Sequence, residues 1–352
     1  MHNDQDKNNQ VEALLSVVNR LILVVVVLVA GIIALPIVFY YDKGHDNAGV
    51  QTKESSAEKK DTTAYWAPAD INTIADTKLK AQVEYGRELV AHTAKYLGPN
   101  GSVLKISNGM NCQNCHLQAG TVVFGNNYGS VASMYPKFRA RSGSVENLYK
   151  RVNDCFERSL NGKAIDTAGK EMLAIAAYIN FIGSNVPKGK KAAGSGFKDL
   201  AYIDRAADPQ KGMLVFTTKC QSCHQADGAG LFNADKTEYI YPALWGNNSF
   251  NDGAGLYRIS NIAKYVKYNM PQGTTYKAPQ LSDEEAWDVA AYVCSQARPH
   301  LATPKDWPDI SKKPVDHPFG PYTDAFSEKQ HKYGPFKPIV EDQKKQASTQ
   351  PK

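Results

Sequence analysis

The 352-residue chain has only six cysteines, no cluster of basic residues, and one long apolar run. Its formal net charge is +6, but the lysines and arginines are scattered. That excludes the continuous cationic face that binding to a nucleic-acid backbone needs, and it fits a small anionic substrate better. Neither of the two cysteine pairs has a second Cys-x-x-Cys or paired histidines at finger-like distance, which excludes a zinc knuckle. No Ala-x-Ala-like site follows the apolar run, which argues against a cleaved signal peptide. Residues 42–64 have almost no bulky apolar side chains, so they cannot build a core and read as a flexible tether.

What is present is concentrated in two short motifs, "CQNCH" (Cys112–His116) and "CQSCH" (Cys220–His224). Two thiols at this spacing meet the two vinyl groups of one porphyrin, and the adjacent histidine reaches its iron. A redox Cys-x-x-Cys pair is the competing reading of a single copy, and two complete copies decide against it. We expect two covalently bound haem c groups, one on Cys112, Cys115 and His116 and one on Cys220, Cys223 and His224.

Residues 21–41 carry no charge over 21 positions, enough helix to cross a hydrocarbon layer of about 30 Å. The expectation is a transmembrane anchor over 21–41 after a short cytoplasmic segment, 1–20. Haem c is attached outside the bacterial cytoplasmic membrane, so residues 42 onward are expected in the periplasm, held at the inner membrane. Past the tether, "PKGKKAAGSG" marks a linker over 187–199 between blocks 65–186 and 200–303, each the size of a cytochrome c domain. The blocks repeat internally. "EMLAIAAYINFIG" aligns with "EEAWDVAAYVCSQ" around Tyr178 and Tyr292, both at helical spacing, and an opening helix precedes each haem motif. The fold class is therefore mainly α, two tandem class I cytochrome c domains. A Pro-rich tail, 304–352, keeps Trp307, Phe319, Tyr322, Phe326, Tyr333 and Phe336 and is expected to wrap along the domains without regular structure.

Each iron needs a second axial ligand. In the second block Met270, in an Asn-Met-Pro turn 46 residues after His224 and 22 before Tyr292, has the usual class I position. Counting back 23 residues from Tyr178 lands on Cys155, its positional counterpart. Three readings compete for that thiol: an inert buried cysteine, a disulfide to Cys294, or a thiolate on iron. The repeat favours the third, because Cys294 aligns with Asn180 inside a closing helix. Met134 is the fallback ligand, while Met172 and His92 lie on helices that should pack as core. On a helix Arg151, Cys155 and Ser159 share one face, with Arg139, Arg141, Arg158 and Lys163 near in sequence. Any one of these cations alone reads as a solvated face; the set beside a thiolate reads as an anion site.

The segments "NCQNCHLQAGT", "RVNDCFERSLNG", "YNMPQG" and "FSEKQHKYGPF" resemble the dihaem thiosulfate dehydrogenases, some of which also act as tetrathionate reductases. The resemblance implies ligation by His116 and Cys155 at a catalytic haem and by His224 and Met270 at a transfer haem. It also implies anion contacts from Arg141 and Arg151, with Ser159 nearby, and coupling of two thiosulfates to tetrathionate. The electron partner would be a cytochrome or a quinone-linked system. Family members are often soluble, and the apolar run departs from that. Two other readings stand beside it: a dihaem electron shuttle with no substrate of its own, and a thiol-haem sulfur carrier that needs a partner enzyme.

Overall fold

A computed structural model describes residues 15, 18–26, 28 and 64–349. The chain divides into two units, 1–62 and 63–352. In the first, residues 18–26 are helical with exposed side chains. Most of the expected anchor over 21–41, and the tether up to residue 63, lie outside the described residues. Among the described residues no helix is long and apolar enough to cross a membrane.

The second unit is built on two helix pairs that repeat one design. In the first pair, α1 (Thr77–Ala91) crosses α3 (Lys170–Ile182); α2 (Leu148–Asp154) lies between them in sequence. In the second, α4 (Pro209–Lys219) crosses α6 (Asp283–Ser295), with α5 (Ile259–Asn269) alongside. Local chemistry starts several of these helices. The Asp76 carboxylate accepts the Lys78 and Leu79 N–H groups at α1, and Asp208 with Pro209 in the first turn opens α4. Ser282 and Glu285 cap α6 reciprocally.

Both crossings are made by a glycine. A Cβ on Gly86 would lie 2.0 Å from the Ala174 carbonyl oxygen, and one on Gly212 would lie 1.9 Å from that of Asp288. Each would also press on the Cβ of the tyrosine one turn on, Tyr178 at 2.8 Å or Tyr292 at 2.9 Å. Only glycine allows backbones this close. Behind the crossings lie two cores, one with Leu89, Phe156, Met172, Ile175 and Tyr178, the other with Phe216, Ile259, Trp287 and Ile339. Full burial of such a side chain contributes about 1.5–3 kcal/mol.

The two domains interlock. The hairpin of β5 (Leu231–Phe232) and β6 (Tyr239–Tyr241) belongs by sequence to the second block, yet Tyr239 is buried in the first core. Phe232 stacks on Tyr239 with ring centroids 3.8 Å apart. From the same hairpin the Glu238 carboxylate reaches His92 Nδ1 at 3.0 Å and accepts Asn111 Nδ2 at 3.0 Å. On α5, the buried Tyr265 hydroxyl donates to the Asn114 carbonyl inside the first haem motif at 2.8 Å.

Two segments differ from expectation. Part of the linker is hydrogen-bonded to the first domain: β4 (Gly196–Phe197) pairs with β1 (Gly125–Asn127), and the Ala193 carbonyl accepts the Trp66 N–H at 3.0 Å. The tail, expected to be irregular, carries α7 (Glu328–Tyr333) and α8 (Lys337–Thr349). Ser327 caps α7 by accepting the Gln330 N–H, and Pro338 falls in the first turn of α8, where no N–H is needed. Phe336 and Ile339 then anchor α8 in the second core.

Candidate active site

The first haem motif is fixed by hydrogen bonds on both sides. Cys112 N–H donates to Thr93 Oγ1 at 3.0 Å, and Asn111 Oδ1 accepts the Ala94 N–H at 2.8 Å. His116 Nδ1 lies 2.6 Å from the Asn126 carbonyl. A carbonyl can only accept, so Nδ1 carries the proton and Nε2 keeps the lone pair that a metal needs. Tyr128 stacks on the imidazole at 4.5 Å. Burial pulls the His116 pKa down to about 4, with the Arg151 charge adding to it and the Asn126 carbonyl opposing, so the ring is the neutral form that binds iron.

Cys155 stands where α2 gives way to a π turn, Cys155–Ser159, closed by the Leu160 N–H on the Cys155 carbonyl at 2.9 Å. Such five-residue closures inside helices are rare and frequent at functional sites. Arg151 and Cys155 keep the spacing of a regular helix, and Arg151 Nη1 donates to the Cys155 sulfur at 2.9 Å. Electrostatic attraction to Cys155 is the main cause holding the Arg151 pKa above the ordinary guanidinium range, against the effect of burial. Cys112, Cys115, His116, Arg151, Cys155 and Ser159 all line one cavity of about 170 Å³. The rest of its wall is mainly apolar, with Val90, Val152, Phe156 and Ile175. A slot with two thiols at one edge, a neutral imidazole and an apolar lining suits a covalently held porphyrin.

The other cations are placed differently. Arg141 Nη2 pairs with Asp154 at 3.1 Å, a carboxylate that also takes Lys150, and Arg141 lines a neighbouring cleft with Arg258, Trp307 and His317. Arg158 grips Asp306 with two bonds, 2.8 and 2.9 Å, and so ties the Cys155 segment to the start of the tail. Of the ligand alternatives, Met172 is fully buried in the first core and His92 is paired with Glu238. Met134 lines a recess that shares walls with the cavity. All six cysteines are unpaired, and Cys294 donates from the second core to the Tyr257 carbonyl at 3.3 Å.

In the second domain α4 ends at Cys220, and His224 Nδ1 faces the Pro242 carbonyl at 2.8 Å, repeating the arrangement of His116. Burial lowers the His224 pKa. Met270 caps α5, and its loop is drawn toward the His224 side by a 3.4 Å bond from the Tyr241 hydroxyl to Gln272. Sequence reasoning missed the partners that orient these groups. The Asn126 and Pro242 carbonyls are backbone atoms with no side-chain signature, and Tyr128 and Glu238 meet the motif only through folding.

A family model described as SoxA/TsdA, cytochrome c domain, matches residues 104–187, and one described as Cytochrome c matches residues 209–297. A thiosulfate dehydrogenase of Psychrobacter arcticus is 39% identical over 243 residues, covering 68% of this chain and 71% of that protein. This chain belongs to the thiosulfate dehydrogenase family. A family member from Allochromatium vinosum is 35% identical over 252 residues, 70% of this chain and 89% of that one. The solved structure of the thiosulfate dehydrogenase TsdBA from Marichromatium purpuratum, in its as-isolated form, matches with a TM-score of 0.62 and 27% identity. That match covers 70% of this chain, which spans about half of the solved one, 52%. As in the family, two cytochrome c domains hold two covalently bound haem c groups.

Proposed function

We propose that this protein couples two thiosulfate dianions into tetrathionate at the Cys155 cavity and passes two electrons out through its second domain. The observation that carries the reading is the 2.9 Å bond from Arg151 to the Cys155 sulfur inside the cavity that also holds His116. An electron shuttle has no use for a half-buried thiol held by a guanidinium. His116 and Cys155 would hold the first iron and His224 and Met270 the second. A thiolate there would lower the potential of its haem and a thioether would raise that of the other, which would favour electron flow from the first to the second. When bound, each haem stores one electron, and the two together match the reaction.

The balance closes on Cys155. Its thiolate and one thiosulfate join through a sulfur–sulfur bond and release two electrons. The second thiosulfate attacks the sulfane sulfur, tetrathionate leaves, and the thiolate returns. Arg151 and Ser159 bind the sulfonate end, since two dianions repel and charge-assisted bonds must hold them. Arg141, paired with Asp154, holds the segment that presents them. The first domain, 65–186, is catalytic and the second, 200–303, exports electrons to a cytochrome or quinone-linked acceptor; the same sites run backward as a tetrathionate reductase.

The uncharged run over 21–41 supports an anchor in the inner membrane with the haem domains in the periplasm. Replacing residues 1–41 by a cleavable signal is expected to give a soluble dihaem protein with unchanged turnover. The function is tested with the isolated protein, thiosulfate and ferricyanide. One tetrathionate for every two dye molecules reduced supports it; no dye reduction by a fully haem-loaded protein overturns it and leaves a shuttle or a sulfur carrier.

A further inference from the structure

The cavity itself offers one guanidinium, Arg151, to a reaction that brings two dianions together. Beyond Tyr135 lies a recess of about 250 Å³ that shares Asn127, Val131 and Tyr135 with the cavity. Its outer walls carry Lys137, Arg139 and Lys191. The placement follows from a short hairpin. β2 (Lys137–Arg139) pairs with β3 (Ser144–Glu146), and strand alternation puts Lys137 and Arg139 on one face and Phe138 on the other.

Among the described residues the three cations have no ion-pair partner. Arg141 and Lys150 share Asp154, Arg158 holds Asp306, and Lys264 holds Asp199. Among the described residues no carboxylate comes within ion-pair distance of Lys137, Arg139 or Lys191, and Asp199 feels Lys191 only at longer range. Among the described residues the acid set opposite them on the hairpin is Glu146, buried across from Lys137 with its Oε2 lacking a hydrogen-bond partner. Three cations against one carboxylate leave a surplus of two positive charges, the complement of a dianion.

Tyr135 is the wall between the two spaces. It lies within the field of both Arg139 and Arg151, and its hydroxyl makes no hydrogen bond among the described residues. We propose that the recess is a second sulfonate subsite, which holds one thiosulfate on Lys137, Arg139 and Lys191 while the other lies at Arg151 and Cys155, with the Tyr135 hydroxyl donating between them. This rests on the reaction proposed above. Tetrathionate, a dianion with a sulfonate at each end, would span both spaces, one end in each.

The test uses the haem-loaded protein and the variant Lys137→Gln/Arg139→Gln/Lys191→Gln. With thiosulfate and ferricyanide, KM for thiosulfate is expected to rise at least about tenfold while kcat at saturation stays within about twofold. Both haem potentials are expected to stay in place. An unchanged KM overturns the subsite. A shifted potential of the first haem with KM unchanged also overturns it, and assigns the cations to the carboxylates of the bound porphyrin instead. If the parent protein reduces no dye, the reaction itself falls, and the recess is judged by calorimetric titration with tetrathionate. Binding to the parent that is lost in the triple variant supports the subsite, and equal or absent binding in both rejects it.

Discussion

Replacing Gly86 by alanine sets two effects against each other. In a helix interior alanine is favoured over glycine by about 1 kcal/mol, so propensity alone predicts a more stable protein. The structure predicts the reverse. The new methyl would sit 2.0 Å from the Ala174 oxygen and 2.6 Å from its carbonyl carbon, and both are backbone atoms of α3. To bring the contact to the 3.0 Å that real Cβ atoms respect, α1 and α3 must part by about 1 Å, and Leu89, Val90, Ile175 and Tyr178 behind them lose their fit. Overpacking of this kind costs about 1–3 kcal/mol, and because the clashing backbone atom cannot turn away the cost here falls in the upper part of that range, about 2–3 kcal/mol. The net loss is therefore about 1–2 kcal/mol, a fall in Tm of roughly 2–8 °C for a unit of this size. Gly212→Ala, with its 1.9 Å contact, should behave alike. Thermal unfolding followed by far-ultraviolet circular dichroism and by haem absorbance reads the result, with Gly86→Ala disturbing the first haem's spectrum and Gly212→Ala the second's. A Tm equal to or above that of the parent in both variants would refute the close crossing.

Arg151→Ala removes a charge-assisted bond of about 1.5–3 kcal/mol, so kcat/KM should fall at least tenfold with both haems retained; unchanged kinetics would remove Arg151 from the substrate site. Cys155→Met should keep both haems, lose the thiolate signature of the low-spin spectrum and raise that haem's potential, while tetrathionate formation collapses because a thioether cannot form or release a sulfur adduct. Cys294→Ser, in the second core, is the control and should cost only packing stability; a Cys155→Met protein working at the parent rate would show the thiol to be no more than a ligand. His317 is held neutral, its pKa pulled down to about 4 chiefly by burial, with Nε2 accepting from the Trp307 indole at 3.1 Å. Its folded pKa lies below the unfolded value, about 6.5, so its contribution is present above pH 6.5 and lost as pH falls toward 4. The stability of His317→Gln should change less across that window than the parent's, and parallel curves would show that the imidazole is free to protonate in the folded state.

Much of this was legible in the sequence where chemistry is carried by spacing. Two Cys-x-x-Cys-His motifs, a repeated closing helix and the distance back from Tyr178 bring Cys155 to the cavity of His116 without reference to any fold. The glycines at the crossings, Gly86 and Gly212, carry no signal inside the opening helices, because a close approach shows only when the partner backbone is in place. The Cys155 segment reads as one amphipathic helix, and the π turn within it depends on a single carbonyl choosing Leu160. Arg141 and Arg158 look alike in sequence, and only Asp154 and Asp306, one of them far along the chain, separate their roles. The helices of the tail were hidden by its prolines and charges, although Ser327 and Gln330 already held the cap.

The hairpin that carries Glu238 bears on whether this protein can be divided. The chain looks like two beads on a string, yet a cut within 187–199 would not yield two working halves. A separated first half would keep a haem motif whose Asn111 and His92 face open water where Glu238 had been, and a bare seat beside Gly109 where Phe232 had lain. It would also lose the hand of Tyr265 on the Asn114 carbonyl, within two residues of His116. The smallest autonomous version of this catalyst is thus the pair, and attempts to transplant its thiol-bearing domain onto another electron acceptor would have to carry the neighbour's hairpin along.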